Sequence, residues 1–183
     1  MAIFKGLVSV ISIFLFIYFL AGIMLFGPSQ FLMLHTSIMF NYDSFTPNSE
    51  IRGFTINITS GCGEDDYCRI VTAYNYFRDN PLEYVYGGTT KQMYSPEETL
   101  EFYGGDCKSL SVFFASMMNN VGIFSRVDCD MDHNHCVTYV YPRRMGKYVV
   151  VDLTAPFIME LNKNVSYWDE IDKINGLGGT NWN

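Results

Sequence analysis

The feature that most constrains this chain is an uncharged apolar stretch near its N-terminus. No Asp, Glu, Lys or Arg occurs between Gly6 and Gly27, and Pro28 follows at once. At ~1.5 Å per residue, about 20 helical residues cross the ~30 Å hydrocarbon layer of a bilayer. Proline cannot continue the hydrogen-bond ladder of a helix. We therefore predict a transmembrane anchor over residues 1–28.

A cleaved signal peptide is the alternative for this stretch. The apolar run is longer than the ~7–15 residues of a signal core, and no small-x-small cleavage site follows it. Lys5 precedes the stretch, whereas no Lys or Arg follows before Arg52. The positive-inside tendency then places the rest of the chain outside the cytoplasm. The expected location is the cell membrane, with a single span and an extracytoplasmic domain.

The chain beyond the predicted anchor is acidic. Lys5 is the only charged residue before Asp43, which leaves 11 Lys and Arg against 19 Asp and Glu. A negatively charged domain repels phosphate backbones, and no basic run offsets this repulsion. We therefore expect no nucleic-acid partner.

The composition also gives provisional boundaries. Residues 29–54 are predicted to be a juxtamembrane stalk, since Pro47, Asn48 and Ser49 lie among other polar residues. Residues 55–168 are predicted to form the domain, and residues 169–183 a C-terminal tail.

Helical signals fill the first half of the predicted domain. The run Ser95-Pro96-Glu97-Glu98 is typical of a capping box, with Ser at the cap and Glu three residues later. Apolar residues recur at helical spacing after residues 66 and 107. From residue 123 onward the pattern alternates, and segments 123–128, 135–141 and 148–153 predict antiparallel strands. Helices followed by strands indicate an α+β fold.

Cys107 has the setting of a nucleophile. It follows Gly104-Gly105-Asp106 at the predicted start of a helix, with Asp106 as the cap. The unpaired N–H groups and partial positive charge at a helix N-terminus stabilise a thiolate. The same N–H groups can hold a developing oxyanion. No side-chain oxyanion donor can be assigned, and Gln92 and the nearby tyrosines are candidates only.

A base and an orienting carboxylate are predicted from the strand register. If Tyr141 pairs with Gly146 across a turn, His135 faces Asp152 directly and the two side chains share one face of the sheet. A carboxylate in that position orients an imidazole, as in a catalytic triad. A one-residue slip would separate them, so the prediction depends on the turn.

Three segments carry a family resemblance: SPEETLEFYGGDCKSLSVFFASMMNNVGI, HCVTYVY and GKYVVVDLTAP. They resemble the nucleophile, histidine and aspartate regions of transglutaminase-like domains, and the likeness covers roughly residues 68–156. The resemblance implies a papain-like core in which Cys107 is the nucleophile, His135 the base and Asp152 the orienting carboxylate. It implies no cofactor and no metal.

The activity expected from this resemblance is attack on a peptide or carboxamide bond of a protein or peptide substrate, through a thioester. A protease or amidase is favoured over a crosslinking acyltransferase, because nothing indicates an amine site or a calcium-binding region. Two departures leave the substrate pocket unreadable: Val137 replaces a frequent aromatic residue, and Lys108-Ser109 replaces frequent acidic ones. The alternative is a non-catalytic, membrane-tethered binding module of the same fold.

Two hypotheses concern the other four cysteines. In an extracytoplasmic domain we expect Cys62 to pair with Cys68 and Cys129 with Cys136, which leaves Cys107 free. Pairing cannot be deduced from sequence alone. The alternative is a zinc site formed by Cys129, His133, His135 and Cys136, although its spacing matches no common pattern.

Overall fold

A computed structural model describes residues 13–14, 16–18, 20–21, 24, 38–85, 93–130, 133–155, 158–162 and 165–178. The chain divides into two compact units, Met1–Met39 and Phe40–Asn183. In the first unit, the described positions from 13 to 24 are helical, and their large apolar side chains are exposed. Among the described residues no helix has the length and apolar character needed to cross a bilayer. Most of the predicted anchor over residues 1–28 lies outside the described residues.

The second unit contains five named α-helices and six strands among its described residues, besides a helical segment at 40–45. In chain order the elements are α1 (Ser49–Ile58), a 3-10 turn (Ser60–Cys62), α2 (Asp66–Asp79), β1 (Glu83–Tyr84), α3 (Pro96–Phe102), β2 (Gly104–Gly105), α4 (Cys107–Asn120), β3 (Ser125–Asp130), β4 (His135–Val140), β5 (Tyr148–Val151), β6 (Ile158–Leu161) and α5 (Tyr167–Gly178). Helices precede an antiparallel sheet, so the predicted α+β order is confirmed.

Local capping chemistry explains where the helices begin. The Ser95 side chain accepts a hydrogen bond from the Glu98 amide, and the Glu98 carboxylate accepts one from the Ser95 amide. The predicted capping box is therefore confirmed. Asp106 caps α4 in the same manner, because its Oδ1 accepts from the Ser109 amide at 2.9 Å.

The four-stranded sheet is a simple antiparallel meander in the order β3-β4-β5-β6. Its register differs from the predicted one, since Val140 pairs with Val149 and Thr138 with Val151. This is a shift of two residues from a pairing of Tyr141 with Gly146. The amide of Tyr141 instead donates to the carbonyl of Phe124. The predicted register was wrong, but a shift of two preserves which side chains share a face.

The two faces of the sheet are covered by different helices. On one face, Val140, Val149 and Val151 join the main core with Phe113 and Phe114 of α4. Helix α4 is buried nearly all round, as expected for a central helix. On the opposite face, a second core consists of Val137, Tyr139, Val150 and Leu161 together with Tyr167 and Ile171 of α5.

The domain includes residues on both sides of the predicted limits of 55 and 168. Helix α1 begins within the predicted stalk, and its Ile51 is fully buried in the main core. Helix α5 extends into the predicted tail and covers the sheet. Both differences arise because tertiary packing, and not local polarity, determines which segments join the core.

Both expected disulfides are present. Cys62–Cys68 closes the turn before α2, and Cys129–Cys136 joins directly opposed residues of β3 and β4. Cys107 is the free cysteine of the chain, and it is buried.

Candidate active site

Cys107 lies at the first position of α4, where the sequence predicted it. Its side chain is only 9 % exposed. The Asp106 cap is held by the amide and hydroxyl of Ser109 and by Lys108 at 3.0 Å. This network fixes the helix start and leaves the Cys107 amide free of the helix ladder.

Two glycines bring a second strand against the nucleophile. β2 pairs in parallel with β1, so that Tyr84 lies beside Gly105. A Cβ atom added to Gly104 would lie 2.5 Å from the carbonyl oxygen of Glu83, and one added to Gly105 would lie 2.7 Å from Cβ of Ser109. Neither glycine position has room for a side chain. The pairing of Tyr84 with Gly105 places Tyr84 beside a residue that lies two positions before Cys107 in the sequence.

His135 and Asp152 meet at the end of the sheet. His135 Nε2 lies 2.7 Å from Oδ2 of Asp152, and Asp152 is only 4 % exposed. The amide and hydroxyl of Thr154 both donate to Oδ1 of Asp152, at 2.9 and 2.7 Å. Thr154 therefore fixes Oδ1 of Asp152, and Oδ2 of the same carboxylate faces the imidazole of His135.

The imidazole also acts on the sulfur. His135 lowers the pKa of the Cys107 thiol, and Cys107 contributes to the raised pKa of His135. Because Nε2 is engaged by Asp152, Nδ1 is the nitrogen left for Cys107. The structure thus brings all three predicted residues, Cys107, His135 and Asp152, into one line of interacting side chains.

The electrostatics of this line favour a thiolate–imidazolium pair. Burial raises the pKa of the Cys107 thiol, but the hydrogen bond and charge of His135 and the Cys136 amide outweigh burial, so the pKa lies below its ordinary value. Burial alone would lower the pKa of His135, but hydrogen bonds to Asp152 and Cys107 raise it to about 10. The Asp152 pKa is lowered, because its bonds to His135 and Thr154 outweigh burial.

Tyr84 is a site residue that sequence reasoning left among unassigned tyrosines. Its phenol is close enough to Cys107 for the side chain and the amide of that residue to shift its pKa. Burial and the neighbouring sulfur raise the Tyr84 pKa, which keeps the phenol protonated. Half of the side chain remains exposed. Gln92, the other named candidate, lies outside the described residues.

The zinc hypothesis does not fit the sulfur chemistry. Cys129 and Cys136 are bonded to each other, so neither offers a thiolate to a metal. His135 faces Asp152, and His133 lies 3.0 Å from Oδ1 of Asp130. Within the described part of the chain no group of three or more metal-ligating side chains is gathered.

Comparison with known proteins identifies a family that matches this chain. The model of the transglutaminase-like superfamily matches residues 52–153, more than half of the chain. The sequence has no match among curated proteins.

Two solved structures are similar to the chain. One is a "putative cysteine protease" from Cytophaga hutchinsonii, with 16 % identity, a TM-score of 0.49, and coverage of 67 % of this chain and 46 % of that one. The other is a "putative protease" from Parabacteroides distasonis, with 13 % identity, a TM-score of 0.42, and coverage of 70 % and 30 %. The chain spans less than half the length of either structure. On the match of the family model, the chain belongs to the transglutaminase-like superfamily.

Proposed function

We propose that the protein is a cysteine enzyme that cleaves peptide or carboxamide bonds through a thioester. The observation that carries this proposal is the meeting of three side chains: His135 is hydrogen-bonded to Asp152 and lowers the pKa of Cys107, the free cysteine at a helix N-terminus. A nucleophile, a base and an orienting carboxylate are the components that acyl transfer requires.

In the proposed reaction, the Cys107 thiolate attacks the carbonyl carbon, and the C–S bond forms as the carbonyl oxygen takes the negative charge. The Cys107 amide and the Tyr84 hydroxyl lie beside the sulfur and are suited to that oxyanion. His135 gives its proton to the departing amine as the C–N bond breaks. It then takes a proton from water, which attacks the thioester carbon. The C–S bond breaks, Cys107 leaves as the thiolate, and the carboxylic acid is released.

Water is the proposed acceptor, so protease or amidase activity is favoured over crosslinking. The proposed substrate is a protein or peptide, as the resemblance to transglutaminase-like domains implies. Turnover of peptides without an added amine, and no gain of a transamidation product when an amine is supplied, would agree with this choice.

We further propose that residues 1–28 anchor the protein in the cell membrane with the domain outside. The exposed apolar side chains at the described helical positions, Phe14, Phe16 and Ile17 among them, suit contact with lipid. Two disulfides in the domain suit an oxidising compartment. Carbonate extraction of membranes and protease accessibility from the outer side test the two parts; release by carbonate, or protection of the domain, would contradict them.

The alternative is a non-catalytic binding module, and one observation favours it. The Tyr84 phenol lies beside the sulfur and amide of Cys107, both of which shift its pKa. If Tyr84 cannot leave that position, a substrate carbonyl has no access to the amide.

Labelling of the full chain with iodoacetamide at neutral pH separates the two functions. For an enzyme we expect Cys107 to react much faster than an ordinary thiol and His135→Ala to abolish the excess rate. Cys107→Ser identifies the labelled position. An unreactive Cys107 in the wild-type protein, or a rate indifferent to His135→Ala, would support the binding module. A peptide-library cleavage assay then identifies the substrate.

A further inference from the structure

The C-terminal helix α5 contributes side chains to the surroundings of the candidate triad, although it lies beyond the 52–153 segment that matches the family. The alternation of β4 places His135 on the same sheet face as Val137 and Tyr139, which is the face that α5 covers. The first turn of α5 therefore lies close to the imidazole of His135 and to Asp152.

Trp168 makes the closest approach. Its indole meets the His135 ring edge to face, with 6.3 Å between centroids and an angle of 88°. It also stacks on His133 at 5.1 Å and 23°. Trp168 and His133 thus form an aromatic wall beside the imidazole.

The wall is itself held in place. Nε1 of Trp168 donates to Oδ2 of Asp128 at 3.1 Å, and the Tyr167 amide donates to the hydroxyl of Tyr139 at 2.9 Å. The rings of Tyr167 and Trp168 meet edge to face at 4.9 Å, and Tyr167 is only 3 % exposed. These bonds tie the first turn of α5 to β3 and β4, the hairpin that carries His135.

We propose that Trp168 is a positioning residue that holds the His135 ring between Cys107 and Asp152 and keeps water from their hydrogen bonds. An imidazole with two partners on opposite nitrogens must keep one ring orientation, and an aromatic edge-to-face contact restrains that rotation. Hydrogen bonds between charged groups strengthen when water is excluded. The inference rests on the proposed role of Cys107 as a reactive thiolate.

Several charged and titratable groups surround His135 and influence the pH profile of Cys107 alkylation. They are Cys107 on α4, Asp128 and Asp130 on β3, His133 in the β3–β4 connection, Asp152 after β5, and Tyr167 on α5. Of these, Cys107 can be followed on its own by alkylation. Its pKa is held down by His135, so a loosely held His135 must let that pKa rise.

The test is the pH profile of Cys107 alkylation by iodoacetamide in the full chain, with Trp168→Leu, Trp168→Phe and Ile171→Ala compared to wild type. Ile171 lies on the same helix and is buried in the same core as Tyr167. It therefore controls for a loosened α5. Thermal unfolding of each variant confirms that it is folded at the assay temperature.

We expect Trp168→Leu to move the acid limb of the alkylation profile to higher pH by about one unit. At a given pH on that limb, the alkylation rate should then fall about tenfold. Trp168→Phe, which keeps an aromatic ring, should restore most of the shift, and Ile171→Ala should not move the limb. An unmoved limb in Trp168→Leu, or an equal movement in Ile171→Ala, would overturn the inference. A wild-type Cys107 with ordinary thiol reactivity would instead reject the proposed function itself.

Discussion

His135 and Asp152 are hydrogen-bonded at 2.7 Å although they are not directly opposed in the sheet. Extending the pairing of Thr138 with Val151 sets His135 opposite Thr154, and Asp152 is then its diagonal neighbour on the same face. Diagonal neighbours are ~7–8 Å apart, within reach of long side chains. The Thr154 hydroxyl accordingly lies 3.3 Å from the same nitrogen of His135.

Asp152→Asn should lower kcat/KM by about 10²-fold to 10⁴-fold, because the amide has no charge to stabilise the imidazolium. The His135 pKa should fall towards its ordinary value, and the Cys107 pKa should rise with it. Peptide hydrolysis and alkylation of Cys107 measure the two effects. Asp79→Asn, a change at an exposed carboxylate paired with Arg78, is the control. Equal activity of the two variants would contradict the role of Asp152.

Thr154→Val should lower kcat/KM about tenfold, because it removes the hydroxyl that donates to Asp152 at 2.7 Å but keeps the amide that donates at 2.9 Å. Thr154→Ser retains a hydroxyl and should keep most of the activity. Steady-state kinetics on one peptide measure both. If Ser were no better than Val, the methyl group and not the hydrogen bond would be the important part of Thr154.

The pH dependence of hydrolysis should differ from that of alkylation. The lowered Cys107 pKa means that the thiolate persists at neutral pH, and on the acid side both rates fall when the thiolate is protonated. The His135 pKa of about 10 means that the imidazolium loses its proton near that pH. Hydrolysis needs that proton for the leaving amine and should decline above pH of about 10. Alkylation needs only the thiolate and should not decline, so parallel alkaline limbs would count against the ion pair.

Gly104→Ala should destabilise the domain by about 1–3 kcal/mol, because the new Cβ would lie 2.5 Å from the carbonyl oxygen of Glu83. Displacement of β1 should also move Tyr84 away from Cys107. Gly53→Ala is the matched control: Gly53 lies within α1 and has no atom within 4 Å of the added Cβ. It should be neutral or stabilising by up to about 1 kcal/mol. Thermal unfolding compares the two, and similar losses would refute the close-approach argument.

Features that depend on a few neighbouring residues could be predicted from the sequence. The Ser95 capping box and the Asp106 cap are of this kind, since side chain and amide are three residues apart. The register of β4 and β5 could not be predicted in this way. It depends on the connection at 141–147, where the Tyr141 amide pairs with Phe124 on the other side of β4.

Helices at the domain limits were missed for a different reason. Ile51, Phe54 and Ile58 lie on one face of α1 at helical spacing, a signal that the polar run around Asn48 concealed. The contact of Trp168 with His135 joins residues remote in sequence, and no local pattern indicates it. Site residues contributed by distant elements therefore stay hidden until the chain is folded.

The Cys129–Cys136 disulfide requires oxidised sulfur atoms, whereas the nucleophile requires a reduced one. Cys136 follows His135 directly, and its amide helps to lower the pKa of Cys107, so the disulfide stabilises the strand that lies beside the nucleophile. Surroundings that keep this pair oxidised also threaten a thiolate, the form of cysteine that oxidants convert most readily. Cys107 is only slightly exposed, and Tyr84 lies beside it. Its small exposed surface limits such oxidation, so one sulfur can stay reduced beside four that are joined in pairs.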